Sequence, residues 1–392
     1  MVKNNFLYIL LLCFCIFINA CKKETPQTNI SEAKTEVIST HTEIKYAEGF
    51  RITHHKDHTI LEITKPFPEA KETYKYALVH SSTELINFDS GLYDIDANNI
   101  INIPLQSIVV TSTTHIPSLE TLGVSETLTG FPGLDYISSL LSRKRIENNQ
   151  IKEVGQNGSL NTELTINLNP DAVVTFGVEG ENKTLNILNR AKIPVIYNGD
   201  WVEKHPLGKA EWIKFFGVLY GKEKEADSIF NHIEKQYLDA KKLVQNVSKK
   251  PTILSGAMFK DIWYLPKGDS WQATVIEDAG GNYLWSQTEG TGSIALSIES
   301  VLDKAQNADF WIAPSQYTSY SKLVSDNKVY GEFDAFKNQK IYTFAKAKGA
   351  TGGLLYYELA PNRPDLVLKD LISILHPELL TEKTTFFTPL DE

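Results

Sequence analysis

Ser107-Ile108-Val109-Val110-Thr111, followed shortly by Ile116-Pro117-Ser118-Leu119-Glu120-Thr121-Leu122-Gly123, is the stretch on which the reading of the fold turns. The first segment is a short apolar run between hydroxyl residues, and a run without polar alternation reads as a buried strand. The second reads as a helix ended by glycine. The unit then recurs. Asp171-Ala172-Val173-Val174-Thr175-Phe176-Gly177 is a strand, Lys183 to Ala191 a helix, and Ile193-Pro194-Val195-Ile196-Tyr197 the next strand. Strands alternating with helices imply a parallel sheet covered on both faces.

Downstream, residues 209–247 are helix-rich, with Ala226, Ile229, Phe230, Ile233, Tyr237, Ala240, Leu243 and Val244 at three- and four-residue intervals. Lys249-Lys250-Pro251 closes that stretch. The β/α texture then resumes at Thr252-Ile253-Leu254-Ser255, Ile262-Trp263-Tyr264-Leu265, Phe310-Trp311-Ile312-Ala313 and Lys340-Ile341-Tyr342-Thr343-Phe344, with helices at Thr274 to Ala279, Ser297 to Gln306 and Pro364 to Leu375. Upstream the pattern differs. Arg51 to His54, Thr59 to Thr64 and Tyr74 to Val79 alternate, punctuated by Pro66, Pro68 and Gly91, which reads as an antiparallel β extension. The fold class is α/β: two β/α lobes with parallel sheets joined by a single long helix, plus that N-terminal extension. No short-period repeat is present.

The N-terminus reads as a secretion signal of a bacterial lipoprotein. Lys3 precedes an apolar run from Phe6 to Ile18, about thirteen residues, shorter than the roughly twenty that span a bilayer. It ends in Ile18-Asn19-Ala20-Cys21, which resembles a lipobox, so lipid on Cys21 is the expected anchor. The other two cysteines, Cys13 and Cys15, lie inside the signal, which leaves the mature chain no disulfide and no cysteine metal site. The polar stretch after Cys21 reads as a flexible tether. The expected organisation is therefore signal 1–20, tether 21–45, N-terminal lobe 46–222 with its extension at 46–103, connecting helix 223–248 and C-terminal lobe 249–392. With net charge −9 and no basic stripe, nucleic acid is not an expected partner, and a monomer is expected.

The residues from about Pro104 to Leu380 resemble the substrate-binding proteins of ABC importers for iron-siderophores, haem and cobalamin. The resemblance rests on an ordered set: Ser107 to Gly123 with Leu128-Thr129-Gly130, Val154-Gly155, Asn161-Thr162-Glu163 to Pro170-Asp171-Ala172-Val173-Val174, Ala279-Gly280-Gly281-Asn282, Ser297-Ile298-Glu299 with Ala308-Asp309-Phe310, and His376-Pro377-Glu378. Each motif alone is loose, whereas the ordered set is specific. The resemblance implies a lipid-anchored receptor that holds a large chelate between its lobes and delivers it to an ABC permease and its ATPase, with an outer-membrane receptor as a further partner. It implies no cofactor of the protein's own, the ligand carrying any iron or cobalt. It also implies that Glu163 and Glu299, one per lobe, dock into arginines of the permease. Read alone, each glutamate could equally complement a helix N-terminus.

Loops leaving the carboxyl ends of parallel strands hold the ligand in such folds. That rule selects His115, Tyr136, Arg143, Arg145, Gln156, Trp201 and Glu203 in the first lobe, and Trp263, Tyr264, Trp271, Trp285, Tyr317, Tyr356 and Arg363 in the second. Broad aromatic surfaces suit a large, partly apolar ligand. Trp212, in the helix-rich stretch, reads as core. A bare zinc or manganese ion is the alternative ligand, but His54-His55-Lys56-Asp57-His58 reads as a polar turn and only His115 is placed for the cleft. An enzyme is not expected: Gly-x-Ser-x-Gly, a phosphate-cradling Gly-Lys-Ser/Thr loop and His-Glu-x-x-His are missing, and Ala350-Thr351-Gly352-Gly353 reads as a plain loop. A surface adhesin built on the extension is the third class.

Overall fold

Strand residues on both parities of the short apolar runs are buried, and this explains why those runs lack polar alternation. The computed structural model describes residues 39–80, 90–156, 159–177 and 182–392, all within one compact unit, Ile38–Glu392. The signal, Cys21 and most of the tether lie outside the described residues. In the first lobe five strands run parallel in the order Val195–Asn198, Ala172–Phe176, Ile108–Val110, Leu128–Phe131, Lys152–Glu153. Ile108, Val110, Val174 and Ile196 enter the main core, while Val109, Val173 and Val195 pack with Leu185, Leu188 and Ile193 on the other side. Each fully buried side chain of this size contributes roughly 1.5–3 kcal/mol, so a polar residue at either parity would be costly.

The second lobe repeats the plan. Asn282–Tyr283, Thr252–Ser255, Phe310–Ile312 and Ile341–Thr343 are parallel neighbours, with Thr388–Pro389 antiparallel at the edge. One aspartate performs the same task in both lobes. Asp171 accepts the N–H groups of Gln106 and Ser107 at 2.7 and 3.0 Å, and Asp309 accepts the N–H and hydroxyl of Thr252, both at 2.8 Å. Each carboxylate precedes its own strand and ties down the start of the neighbouring one.

Ile262–Pro266 is not part of that parallel sheet, contrary to the sequence reading. It lies in an antiparallel three-stranded sheet with Ala257–Phe259 and Ser293–Leu296. Two residues separate Phe259 from Ile262, whereas a parallel crossover needs about a dozen or more. Gly256, just ahead of Ala257–Phe259, permits the close approach of Ile262–Pro266: its φ is +76°, and a Cβ there would stand 1.9 Å from the Tyr264 carbonyl oxygen.

The lobes are joined through helices Pro206–Glu211, Ile213–Leu219 and Glu223–Leu243. The last buries Ala226, Phe230, Ile233, Tyr237 and Ala240, with Glu223 and Glu225 in its first turn and Lys241 and Lys242 in its last, complementing the helix dipole. Among the described residues no helix is long and apolar enough to cross a membrane.

The extension is a five-stranded sheet in chain order: Thr40–His41, Phe50–His54, Thr59–Ile63, Tyr74–His80, Ile100–Ile103. It is mixed rather than wholly antiparallel, because Tyr74–His80 and Ile100–Ile103 pair in parallel. Nineteen residues lie between these two strands, long enough for a crossover. The tether also ends sooner than Lys45, since Thr40 and His41 pair with His54 and Thr53. Immediately after, two buried carboxylates hold the chain. Glu211 accepts the N–H groups of Lys45, Tyr46 and Ala47 at 2.9, 2.7 and 2.9 Å and the Lys214 ammonium at 3.0 Å. Glu203 accepts the N–H groups of Glu48 and Gly49 and the Trp212 indole N–H. Replacing Glu211 with alanine strands three backbone donors and a buried ammonium. The expected loss of unfolding free energy is about 3–5 kcal/mol, measured by chemical denaturation, with faster proteolysis ahead of Phe50.

Candidate ligand cleft

The polar loops at the carboxyl ends of the two parallel sheets meet along one seam. From the first lobe come the turn Thr113–His115, which follows strand Ile108–Val110, and the loop from Pro132 to Ser139, which follows Leu128–Phe131. From the second come the turn that follows Ile341–Thr343 and the short helix Leu355–Leu359. Glu358 on that helix is only 2 % exposed and bridges the lobes: its two oxygens accept the N–H groups of Ser138 and Ser139 at 2.6 and 2.9 Å. Thr351 donates its hydroxyl to the Asp135 carbonyl at 2.8 Å. Asn362 donates to the Thr114 carbonyl at 2.8 Å and accepts from the Ser118 hydroxyl at 2.9 Å.

Glycine makes this approach possible. A Cβ on Gly353 would stand 2.3 Å from the Tyr136 carbonyl oxygen, and one on Gly349 would stand 2.5 Å from the Ser138 Cα. The glycine-rich turn read as a plain loop is therefore the part of the second lobe that lies against the first.

Burial pushes the Glu358 carboxyl up to about 7, against the lowering effect of the Ser138 and Ser139 N–H groups and with the nearby Glu120 adding to the rise. Glu120 itself accepts the hydroxyls of Ser139 and Ser142. His115 lies in the turn that packs against the Glu358 helix and is 0 % exposed, 5.6 Å from the Phe216 ring. Neither of its ring nitrogens has a hydrogen-bond partner among the described residues. Burial lowers it to about 4, with Asp200 opposing.

The remaining residues selected from the sequence divide sharply. Tyr136, Gln156, Trp201 and Tyr264 are exposed. Trp271 stacks on Tyr356, with the Lys209 ammonium 5.9 Å from its ring, and Tyr356 stacks in turn on Phe344. Tyr317 is half-buried against Tyr330. Seven expectations need correction. Trp271 and Tyr356 are buried in the core, packed on each other and, for Tyr356, on Phe344, rather than lining an open cleft. His115 is sealed in the core rather than open to the cleft. Glu203 is occupied by the extension, as described. Trp263 is fully buried, stacked on Trp311 with its indole N–H donated to the Ser255 carbonyl. Trp285 is buried under the Lys304 ammonium. Arg145 donates to the carbonyls of Ser125 and Glu126, fastening its own helix. The other two arginines are engaged locally, Arg143 with the Leu134 carbonyl and Arg363 with Asp365 in a two-bonded pair. Glu358, Ser138, Ser139 and Asn362 were not selected from the sequence, and the paired glycines at 349 and 353 were the one signal that could have led to them.

Among the described residues, no group of three or more His, Cys, Asp or Glu side chains is arranged to hold a metal ion. The His54–His58 turn instead stacks the His55 and His58 rings 4.5 Å apart and pairs His58 with Asp57 at 2.6 Å. Glu163 and Glu299 stand exposed in the first turns of helices Thr162–Leu168 and Ile298–Ala305. Their helices are capped by Asn161 and Ser297, which accept the N–H groups of Leu164 and Ser300.

Residues 108–347 match the model of the periplasmic binding protein family. The chain belongs to that family. An uncharacterized lipoprotein of Methanocaldococcus jannaschii is 26% identical over 390 residues, covering 95% of this chain and 90% of its own, a span that includes the extension. A second such lipoprotein from that organism is 24% identical over 91% of this chain and 88% of its own. A periplasmic haem-binding protein from Pseudomonas aeruginosa superposes with TM-score 0.55 at 18% identity, over 74% of this chain and 99% of its own. A triscatecholate siderophore-binding protein from Bacillus subtilis, solved with ferri-bacillibactin, gives 0.54 at 18% identity, over 71% of this chain and 94% of its own. These solved neighbours share the two-lobed fold.

The buried His115 makes a pH prediction. Its pKa is depressed in the folded chain, so the unfolded chain binds the extra proton. The neutral ring's contribution is fully present above about 6.5 and is lost as pH falls toward about 4. Between pH 7 and 4 this side chain should remove on the order of 3 kcal/mol of stability. Denaturation at both pH values should show that loss in the wild type and a smaller one in His115→Phe.

Proposed function

We propose that the chain is an extracytoplasmic solute receptor, held to a membrane by lipid on Cys21. It binds a large chelate (a ferric siderophore, haem or cobalamin) between its lobes and passes it to an ABC permease driven by its ATPase. The observation that carries this reading is the seam itself: two family lobes bring the carboxyl ends of both parallel sheets to one line. Tyr136 and Trp201 stand exposed on the first lobe, while Trp271 and Tyr356 stack, both buried, beneath that end of the second. Aromatic faces of this kind contribute contact area at little conformational cost. No bond need be made or broken, and any iron or cobalt belongs to the ligand.

Titrating the mature chain with ferric siderophores, haem and cobalamin should quench tryptophan fluorescence for one class of ligand. That ligand at a hundred times its Kd should stabilise the fold by about 2.7 kcal/mol. A panel with neither effect on any member would overturn the reading.

Glu163 and Glu299 are proposed as the permease contacts. Their helices have caps from other side chains, which favours a solvent-facing role. The helix start and the Ser297 hydroxyl hold Glu299 below the usual carboxylate range, so it is charged at neutral pH. Glu163→Arg combined with Glu299→Arg should leave ligand affinity within about twofold and reduce uptake by at least about a hundredfold, given two lost charge-assisted contacts. Uptake at the wild-type rate would remove docking from these residues.

A further inference from the structure

The donors around Ser138 outnumber their acceptors. The N–H groups of Ser138 and Ser139 point at a single carboxylate, that of Glu358, supplied by the opposite lobe. They stand at the start of the eight-residue helix Leu140–Glu147, whose cap is Ser139. Ser138 is 6 % exposed, and its hydroxyl has no hydrogen-bond partner among the described residues, nor has the Nε of Arg143 one turn into the helix. That hydroxyl would lie 3.0 Å from a Cβ on Gly353, so it faces the same turn of the second lobe. Two backbone amides at a helix start, with a buried and unpartnered hydroxyl on the first of their residues, make a set that can receive an anion. Among the described residues both amides donate to a carboxylate on the other lobe, and Glu120, which accepts the Ser139 hydroxyl, adds a like charge that opposes it.

We propose that the Ser138–Ser139 amide pair is the seat for a carboxylate of the ligand, and that Glu358 fills it as a self-supplied competitor when the lobes close on each other. This rests on the receptor reading and adds a ligand class: a chelate with at least one free carboxylate arm. Binding is then an exchange of one carboxylate for another, with water kept from the amides in both states. The Gly349–Gly353 turn, five residues or more ahead of Glu358, lifts from Tyr136 when the exchange occurs.

Backbone amide exchange at Ser138 and Ser139 in the mature chain tests the seat without any chelate. Exchange should be at least about tenfold faster in Glu358→Ala than in the wild type, the effect of losing a charge-assisted acceptor. Millimolar citrate should restore protection in that variant, and chloride at equal ionic strength should not. Should Glu358→Ala fail to fold, Glu358→Gln is read instead; its amide offers one acceptor oxygen, so protection of one of the two N–H groups should fall and citrate should restore it. Exchange unchanged in the variants, or accelerated and indifferent to citrate, overturns the proposal. The ligand class is read separately: haem, if it binds, should bind Glu358→Ala more tightly than the wild type, and haem dimethyl ester should not. Equal gains for both overturn the carboxylate claim. Citrate rescue without binding of any chelate would sink the receptor reading and leave the seat standing.

Discussion

A parallel sheet buried on both faces leaves its polar chemistry only its ends, and the rest of this molecule follows from that constraint. Val109 and Val110 are adjacent, point to opposite sides, and are both fully buried. At the amino ends of the strands Asp171 and Asp309 are spent on fastening neighbouring strands. The carboxyl ends are therefore where side chains and amides are left over to recognise something. Placing two such sheets in one chain and joining them through a helical block turns those two ends toward a common seam.

Buried carboxylates act throughout as staples between segments distant in sequence, and they are not equally secure. Glu211 gathers three amides and has the Lys214 ammonium beside it. Asp370 gathers the amides of Thr385, Phe386 and Phe387 and ties the segment leading into the C-terminal strand to the last helix. Glu358 gathers two amides and has another carboxylate, Glu120, as its nearest charged influence. Burial raises the pKa of both Asp370 and Glu358, but only Glu358 joins one lobe to the other. A staple with fewer donors and a like charge nearby is the one that gives way first. Its position at the seam is where a receptor needs to open.

Elements with strong local signals were legible in the sequence. Pro364–Leu375 occurs as read because proline fixes its first turn and nine of its side chains are buried. Thr252–Ser255 is likewise as read. What failed was decided by tertiary contacts. Ile262–Pro266 carries a strand pattern, but its partners depend on the two-residue turn that precedes it. Tryptophans near strand ends were read as cleft surface, yet Trp263 and Trp311 stack on one another in the core, where Tyr330 and Phe333 also contact them. Glu358 sits in Leu355-Tyr356-Tyr357-Glu358-Leu359, which reads as an ordinary helix, and nothing local shows that its carboxylate crosses to another lobe. Glu203 failed for the same reason, since its partners lie about 155 residues away.

The extension gains a physical role from where it is fastened. Lys45 and Tyr46 reach Glu234 on the connecting helix, each at 2.8 Å, while their backbone amides are held by Glu211 on the helical block. The chain arriving from the proposed anchor is thus tied to the elements that join the lobes and, through Glu203, to the turn that follows strand Val195–Asn198. The Glu358 contact with the Ser138 and Ser139 amides shares no hydrogen-bonded group with these ties.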